Sequence, residues 1–399
     1  MLSSRQAAHR LGVKVETLYA YVSRGLLTSH RDEAHRASVF DEREVERLAR
    51  RGRPRAASRT PTLDIDIATA ITSTHTPTGG YEVRFRGHPA AELAATVAFE
   101  QVAELLWTGE LTASPAPPWA GSTVTVAGER MMDRVRVAAA LAAVAPGAGD
   151  GLAVEVVAAE GRRLIATIVD SLPVLDDGRV PRLHLPGGAY RGTIAGRLWR
   201  RLSPRRATPG AVRALNGALV LMADHELAAS TLAARVAAST RAGPHAVVAA
   251  GLGAVSGRLH GGESLRVRRL LVEADGAGAA AAVDGALQRY GRLPGFGQMI
   301  YPDGDPRTPV LRALVDEAWP SSPALVTVDE VAAEARRRHA APPNVDFALA
   351  TLGRAAAMAD DAAEAIFAVA RIAGWLAHAL EEYDERPLRF RPKATYIGR

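Results

Sequence analysis

Four short segments carry residue types suited to carbonyl and proton chemistry. The first runs Ala223-Asp224-His225-Glu226-Leu227-Ala228-Ala229-Ser230-Thr231, and the second Gly257-Arg258-Leu259-His260-Gly261-Gly262-Glu263. The third is Gly295-Phe296-Gly297-Gln298-Met299-Ile300-Tyr301, closing with Asp305-Pro306-Arg307, and the fourth is Pro343-Asn344-Val345-Asp346-Phe347. His260 ahead of two glycines reads two ways. Glycine lets a ligand pass close to the backbone, or the pair stops a helix whose last carbonyls the imidazole covers. Asp346 follows two prolines and sits between Val345 and Phe347. A carboxylate with apolar neighbours holds its proton more tightly and can serve as a general base. Beside Asn344 it equally reads as part of a helix cap. His225 and Glu226 fall in an apolar stretch that reads as helical, where a histidine satisfied in the core is the ordinary occupant. Gly295-x-Gly297 lacks the rest of a nucleotide fingerprint.

Taken together and in this order, the segments resemble the citrate synthase motifs D-H-E-x-x-A-S-T, G-P-x-H-G-G, G-F-G-H-x-x-Y with D-P-R, and P-N-V-D-F. Flanking stretches match as well: Arg86-Gly87-His88, Glu92-Leu93, Phe99-Glu100-Gln101-Val102-Ala103 and Gly109-Glu110-Leu111 on one side, and Ala370-Arg371, Gly374-Trp375, Ala377-His378 and Arg391-Pro392-Lys393 on the other. The resemblance runs over residues 63–398. It implies an enzyme that removes a methyl proton from acetyl-CoA, adds the enolate to the ketone of oxaloacetate and hydrolyses the resulting thioester. Asp346 matches the base, and His260 the residue that hydrogen-bonds the thioester oxygen. Arg307 and Arg371 match arginines that clamp substrate carboxylates, a task suited to the bidentate guanidinium fork. His225 matches a histidine that also holds the 2-oxo acid. Arg391 matches an arginine supplied by the other subunit, which implies a homodimer. No permanently bound cofactor and no metal are implied; an acyl-CoA, acetyl-CoA or propionyl-CoA, is the co-substrate.

One position departs from the pattern. Gln298 stands where the family carries the histidine that polarises the ketone. An amide donates a hydrogen bond from a similar place but cannot titrate near neutral pH. Met299 and Pro302 stand where bacterial relatives often carry Arg and Lys near the CoA phosphates. Three readings follow: a condensing enzyme with an amide at that position, a DNA-binding regulator whose synthase-like body senses a metabolite, and a non-catalytic partner of another synthase subunit.

The elements that must position these residues read as mainly α, with a large and a small helical domain of the citrate synthase type. Helical periodicity runs from Ala90 nearly to the end, broken by Pro- and Gly-containing stretches, and predicts a helix count in the high teens. A short β-hairpin is expected around Gly79-Gly80, because Tyr81, Val83 and Phe85 alternate. The run around Ala274–Ala282 reads as close helix packing or a helix junction. His75 and His88 read as surface or packing residues. The resemblance divides the body into a large domain of residues 63–261 and 371–399 and a small domain of residues 262–370, which close over the substrates.

Residues 1–50 read as a separate module, with 51–62 as a basic, Pro-containing linker. Ser3 with Gln6 and Asp41 with Glu44 are capping-box patterns, and a helix from about Lys14 to Ser23 buries Leu18, Tyr21 and Val22. Arg31 to Arg36 forms the tip of a basic hairpin. The pattern S-x-x-Q-A-A-x-x-L-G-V-x-x-x-T-L-Y from Ser3 to Tyr19 resembles the winged helix-turn-helix of the MerR and excisionase type. That implies a second helix in the major groove, with Lys14, Glu16, Thr17 and Tyr19 toward the bases and Arg24, Arg31 and Arg36 on phosphates. The same pattern also serves packing or dimerisation modules. Charge favours an acidic partner for this segment: residues 1–60 carry the whole net +6, and the remaining residues balance. The chain has no cysteine, which excludes disulfides, thiolate zinc sites and a cysteine nucleophile. With no apolar leader in the first residues and no long apolar run, a cytoplasmic protein without a membrane span is expected.

Overall fold

The computed structural model describes residues 1–392 apart from 12, 24–25, 33–36, 51–65, 77–79, 114–116, 177 and 187. The chain forms two compact units, Met1–Ala68 and Thr69–Arg399. The expected linker 51–62, Arg24, Arg36, the tip of the basic hairpin, the turn at Gly79 and Lys393 lie outside the described residues.

The first unit contains β1 (Leu2–Ser3), α1 (Ser4–Leu11), α2 (Val15–Ser23), β2 (Ser29–Asp32), β3 (Ala37–Phe40) and α3 (Glu42–Arg50). The strands form an antiparallel sheet in the order β1-β3-β2. Ala7, Leu18, Tyr21, Leu27, Phe40 and Val45 make its core. The Ser3–Gln6 capping box is present in both directions: Ser3 N–H donates to Gln6 Oε1 at 2.9 Å and Gln6 N–H to Ser3 Oγ at 3.3 Å. The second box forms only by half. Asp41 Oδ1 accepts the N–H groups of Arg43 and Glu44, but the Glu44 carboxylate turns to Thr28, taking its N–H at 2.9 Å and its hydroxyl at 3.2 Å. A nearby loop that offers two donors outcompetes the single backbone donor of the cap.

The second unit begins with β4 (Thr72–His75), β5 (Tyr81–Phe85) and β6 (His88–Pro89), then α4 (Ala90–Thr96), α5 (Phe99–Thr108), α6 (Met131–Ala143) and α7 (Val154–Ser171). A two-stranded ribbon, β7 (Leu183–Leu185) and β8 (Gly188–Tyr190), precedes α8 (Ile194–Leu202), α9 (Pro209–Met222), α10 (Ala229–Ser239), α11 (Pro244–Val255), α12 (Glu263–Ala277) and α13 (Ala279–Tyr290). The chain continues as α14 (Arg307–Ala318), α15 (Pro323–Arg337), α16 (Val345–Ala355) and α17 (Ala362–Asp384). β4 and β5 pair antiparallel, and Val83 and Phe85 are buried as the alternation predicts. The Gly/Ala-rich run is a helix junction: α12 ends at Ala277, Gly278 takes φ 82°, and α13 starts at Ala279.

Two apolar cores organise this unit. The larger surrounds α17, with Ile366, Val369, Ile372, Trp375 and Leu376 fully enclosed among residues of the preceding helices. Burying each such side chain contributes roughly 1.5–3 kcal/mol. α17 is long and apolar enough to cross a membrane by composition, yet it is the buried centre of a helical body. The smaller core joins Val267, Leu270 and Leu271 of α12, Val283 of α13, Val328 and Val331 of α15, and Phe347 of α16. α16 serves both cores, since its Leu349 and Leu352 face the larger one. The start of α16 therefore lies where the two cores meet, and that is where Asp346 sits.

Candidate active site

His225 is not on a helix. α9 stops at Met222, and residues 223–228 make an irregular turn before α10. Buried polar anchoring overrides the apolar helical pattern here. Asp224 is fully buried and accepts the Thr72 hydroxyl at 2.5 Å and His378 Nε2 at 3.3 Å. Glu226 adopts φ 48° and accepts the Thr74 hydroxyl. α17 presses close because residue 374 is glycine: Gly374 N–H donates to the Ala223 carbonyl at 3.0 Å, and a Cβ there would come within 2.6 Å of that oxygen. The turn aims His225 inward, where its Nε2 hydrogen-bonds the Tyr301 hydroxyl at 2.7 Å. Burial, with Arg307 and Arg371 nearby, holds the His225 imidazole well below its usual range, so it is neutral. Burial also pushes the Tyr301 phenol up, and it keeps its proton.

His260 lies in the turn between α11 and α12. Gly261 N–H donates to the Val255 carbonyl at 2.9 Å, an approach that a Cβ at 261 would obstruct at 2.6 Å. His260 Nε2 bonds the Ser230 hydroxyl at 2.8 Å, and the ring stands edge-on to Phe367 with centroids 5.4 Å apart. Burial and then Arg371 lower its pKa to about 4. At neutral pH it is an uncharged imidazole, suited to hydrogen bonding rather than proton donation.

Asn344 caps α16, its Oδ1 accepting the N–H groups of Asp346 at 3.0 Å and Phe347 at 3.4 Å. The cap is therefore Asn344, which leaves the Asp346 carboxylate free. Asp346 is half-buried in the cavity wall, and its Oδ1 is buried without a partner among the described residues. Burial, reinforced by Glu263 and opposed by Arg307, pushes this carboxyl up to about 7. Unpaired, half-buried and titrating near neutrality, it has the properties of a general base.

Two arginines supply fixed positive charge. Arg307 opens α14 and is 3% exposed; its Nε and Nη2 pair with Asp305 at 3.0 and 2.7 Å. Burial works against the cation, and Asp305 outweighs it. Arg371 on α17 is 1% exposed. Its Nε donates to the Met222 carbonyl at 2.8 Å, and its guanidinium lies 4.6 Å from the centroid of Phe367. Burial lowers it to about 10, so it remains charged at neutral pH. Among the described residues its terminal nitrogens carry no hydrogen bond and are available to an anion.

His225, His260, Gln298, Arg307, Asp346 and Arg371 all line one cavity of about 520 Å³, together with Glu263, Arg292 and Met299. Gln298 Oε1 accepts the Met299 N–H at 2.8 Å. That bond orients the amide and leaves its NH₂ group as the donor. Arg391 is exposed and does not line the cavity. Sequence reading assigned no role to Tyr301, Ser230, Asp305 or Glu263; each lies inside a quoted motif, and that position was the available signal. In the first unit Lys14 and Tyr19 are exposed and Thr17 is half-buried on or beside α2. Tyr19 hydrogen-bonds Ser4 Oγ at 3.1 Å. Among the described residues no group of three His, Asp or Glu is placed to hold a metal ion.

Residues 65–393 match the family model for the citrate synthase C-terminal domain. The chain belongs to the citrate synthase family. The 2-methylcitrate synthase of Mycobacterium tuberculosis is 30% identical over 336 residues, covering 79% of this chain and 84% of that enzyme. Citrate synthase 2 of Bacillus subtilis is 34% identical over 206 residues, which is 49% of this chain; that match spans about half of the relative, 54% of its length. The citrate synthase of Thermoplasma acidophilum, solved as a ternary complex with carboxymethyl coenzyme A and oxaloacetate, shares the fold at TM-score 0.63 and 22% identity, covering 84% of this chain and 95% of that one. Residues 2–51 match the family model for MerR helix-turn-helix regulatory proteins.

Proposed function

We propose that the protein condenses a short acyl-CoA with a 2-oxo acid, acetyl-CoA or propionyl-CoA with oxaloacetate being the first pairs to consider. The observation that carries this is the convergence in one cavity of an unpaired, half-buried carboxylate, a neutral histidine and two buried arginines. Asp346 takes a proton from the carbon next to the thioester. His260 donates a hydrogen bond to the thioester oxygen as the enolate forms, and the enolate carbon attacks the ketone. Arg307 and Arg371, with His225, hold the carboxylates of the 2-oxo acid. The Gln298 NH₂ hydrogen-bonds the ketone oxygen as it becomes an alkoxide; the alkoxide takes a proton from water, and Asp346 gives its proton back to water. Water then hydrolyses the thioester and releases CoA thiol. In a homodimer Arg391 of one protomer reaches the other protomer's site, and residues 262–370 close on the body formed by 63–261 and 371–399, excluding water during enolate formation.

The test is free-thiol release from acetyl-CoA and propionyl-CoA, each with oxaloacetate, by the wild type beside Gln298→His. Turnover in the wild type establishes the synthase, and the better donor names it. Activity in the histidine variant alone assigns the altered step to position 298. Silence in both, with a folded protein, rejects the condensation.

A second reading has its own support in the MerR-type match and in the basic charge confined to the N-terminal segment. In it the synthase-like body senses a carboxylate or acyl-CoA, and Lys14, Thr17, Tyr19, Arg24 and Arg36 meet DNA. It requires salt-sensitive, sequence-specific duplex binding that changes when oxaloacetate or acetyl-CoA is added; its absence removes this reading.

A further inference from the structure

Glu263 has no part in the reaction as written, yet it is placed between the two groups that carry it. It is 6% exposed, opens α12 three residues after His260 and lines the cavity. Its N–H donates to the His260 carbonyl at 3.2 Å. Its carboxylate accepts from Arg292 at 2.8 and 2.7 Å, from Arg266 at 3.3 Å, and from the backbone N–H of Gly295 at 3.2 Å. The Gly295 carbonyl accepts the Asn344 N–H at 2.8 Å, and Asn344 caps Asp346. An unbroken run of hydrogen bonds thus joins the loop of His260 to the helix start of Asp346 through Glu263.

A surface ion pair contributes little, but this carboxylate is buried, and it faces a second carboxylate. A second negative charge in the cavity wall disfavours ionisation of Asp346. Other charges also face Asp346. Asp305 acts in the same direction as Glu263, and Arg307 and Arg292 act against it; Arg371 adds positive charge from α17. Asp305 likewise accepts the Val345 N–H at 3.3 Å and opposes ionisation of Asp346; Glu263 in addition joins the loop that holds Asp346 to the loop of His260 through its own N–H.

We propose that Glu263 is a positioning residue that fixes Asp346 against His260 and sets a negative charge in the same cavity wall. The inference rests on Asp346 being the base of the proposed condensation. Glu263→Gln keeps an oxygen acceptor for Gly295 and removes the charge, while Glu263→Ala removes both. Carboxyl-carbon NMR of aspartate-labelled full-length protein, with the Asp346 signal assigned by Asp346→Asn, reads its titration without any turnover. In Glu263→Gln the Asp346 midpoint moves to lower pH, and the acid limb of kcat/KM for thiol release moves with it. Glu263→Ala loses about 10²-fold in kcat, the scale of a 1 Å misplacement, with a smaller change in KM for the 2-oxo acid. An unmoved midpoint in Glu263→Gln, or full kcat in a folded Glu263→Ala, overturns the proposal. If the midpoint moves but the wild type releases no thiol, the condensation falls, and Glu263's hold on Asp346 stands.

Discussion

A base that takes a proton from carbon must be basic enough to pull and still be ionised at working pH, so its best pKa lies near that pH. Asp346 reaches about 7 through burial first and then the charge of Glu263. In the proposed condensation the ionised form of Asp346 is the active one, so kcat/KM is expected to rise with pH through about 7 and level off above it. His260, neutral above about 4, adds no second limb in this range. Asp346→Ala removes the proposed base and should lower turnover by about 10²- to 10⁴-fold; undiminished thiol release would move the base elsewhere. The same shift makes a prediction about stability. Asp346 binds its proton more tightly in the folded chain, at about 7 against the ordinary aspartate value of 3.8. Between those values the folded state holds more protons than the unfolded state, so this residue's contribution falls as pH rises and is flat above about 7. Asp346→Asn removes the penalty, and its Tm gain over wild type should grow from pH 5 to pH 8. Equal gains at both pH values in thermal melts would show that the carboxyl is not perturbed.

Helix ends and turns, more than helix bodies, place these groups. His225 follows α9, His260 precedes α12, Arg307 opens α14 and Asp346 sits in the first turn of α16. Such positions are marked in sequence by Gly, Pro, Asn and Asp, and the motifs that gather them were legible for that reason. Long-range pairing was not. Nothing near His225 announces Thr72 and His378 as the anchors of Asp224, so an apolar stretch read as helix is a turn. Nothing near Glu44 announces Thr28, which takes its carboxylate from the expected cap. Gly374 is the element-scale test of this turn. A Cβ there would meet the Asp224 carboxylate and the Ala223 carbonyl, so Gly374→Ala must separate α17 from the turn. Overpacking of this kind costs about 1–3 kcal/mol. Because Arg371 rides on α17 and His225 on the turn, KM for the 2-oxo acid should rise more than kcat falls. A lower Tm with unchanged KM would confine the glycine to packing.

At the scale of the whole chain, charge and packing divide within eight residues of each other, at 60 and at 68. Residues 1–60 hold the entire net +6, and Met1–Ala68 forms a compact unit with its own core around Leu18 and Phe40. Every cavity-lining residue named above belongs to Thr69–Arg399, whose two cores draw no residue from the first unit. A deletion of residues 1–68 therefore removes no side chain of the candidate site and no member of either core. Thiol release by the remaining chain should stay within a few-fold of full length, with an unchanged pH limb near 7. Duplex binding, if the full chain shows it, should vanish in the deletion, because the MerR-type segment goes with 13 of the Lys and Arg residues and leaves a net charge of only +2. A folded deletion that has lost turnover would show that the basic module shapes the chemistry. A deletion that still binds duplex with the full salt slope would move the nucleic-acid surface onto the synthase body and remove the MerR-type helix as its reader.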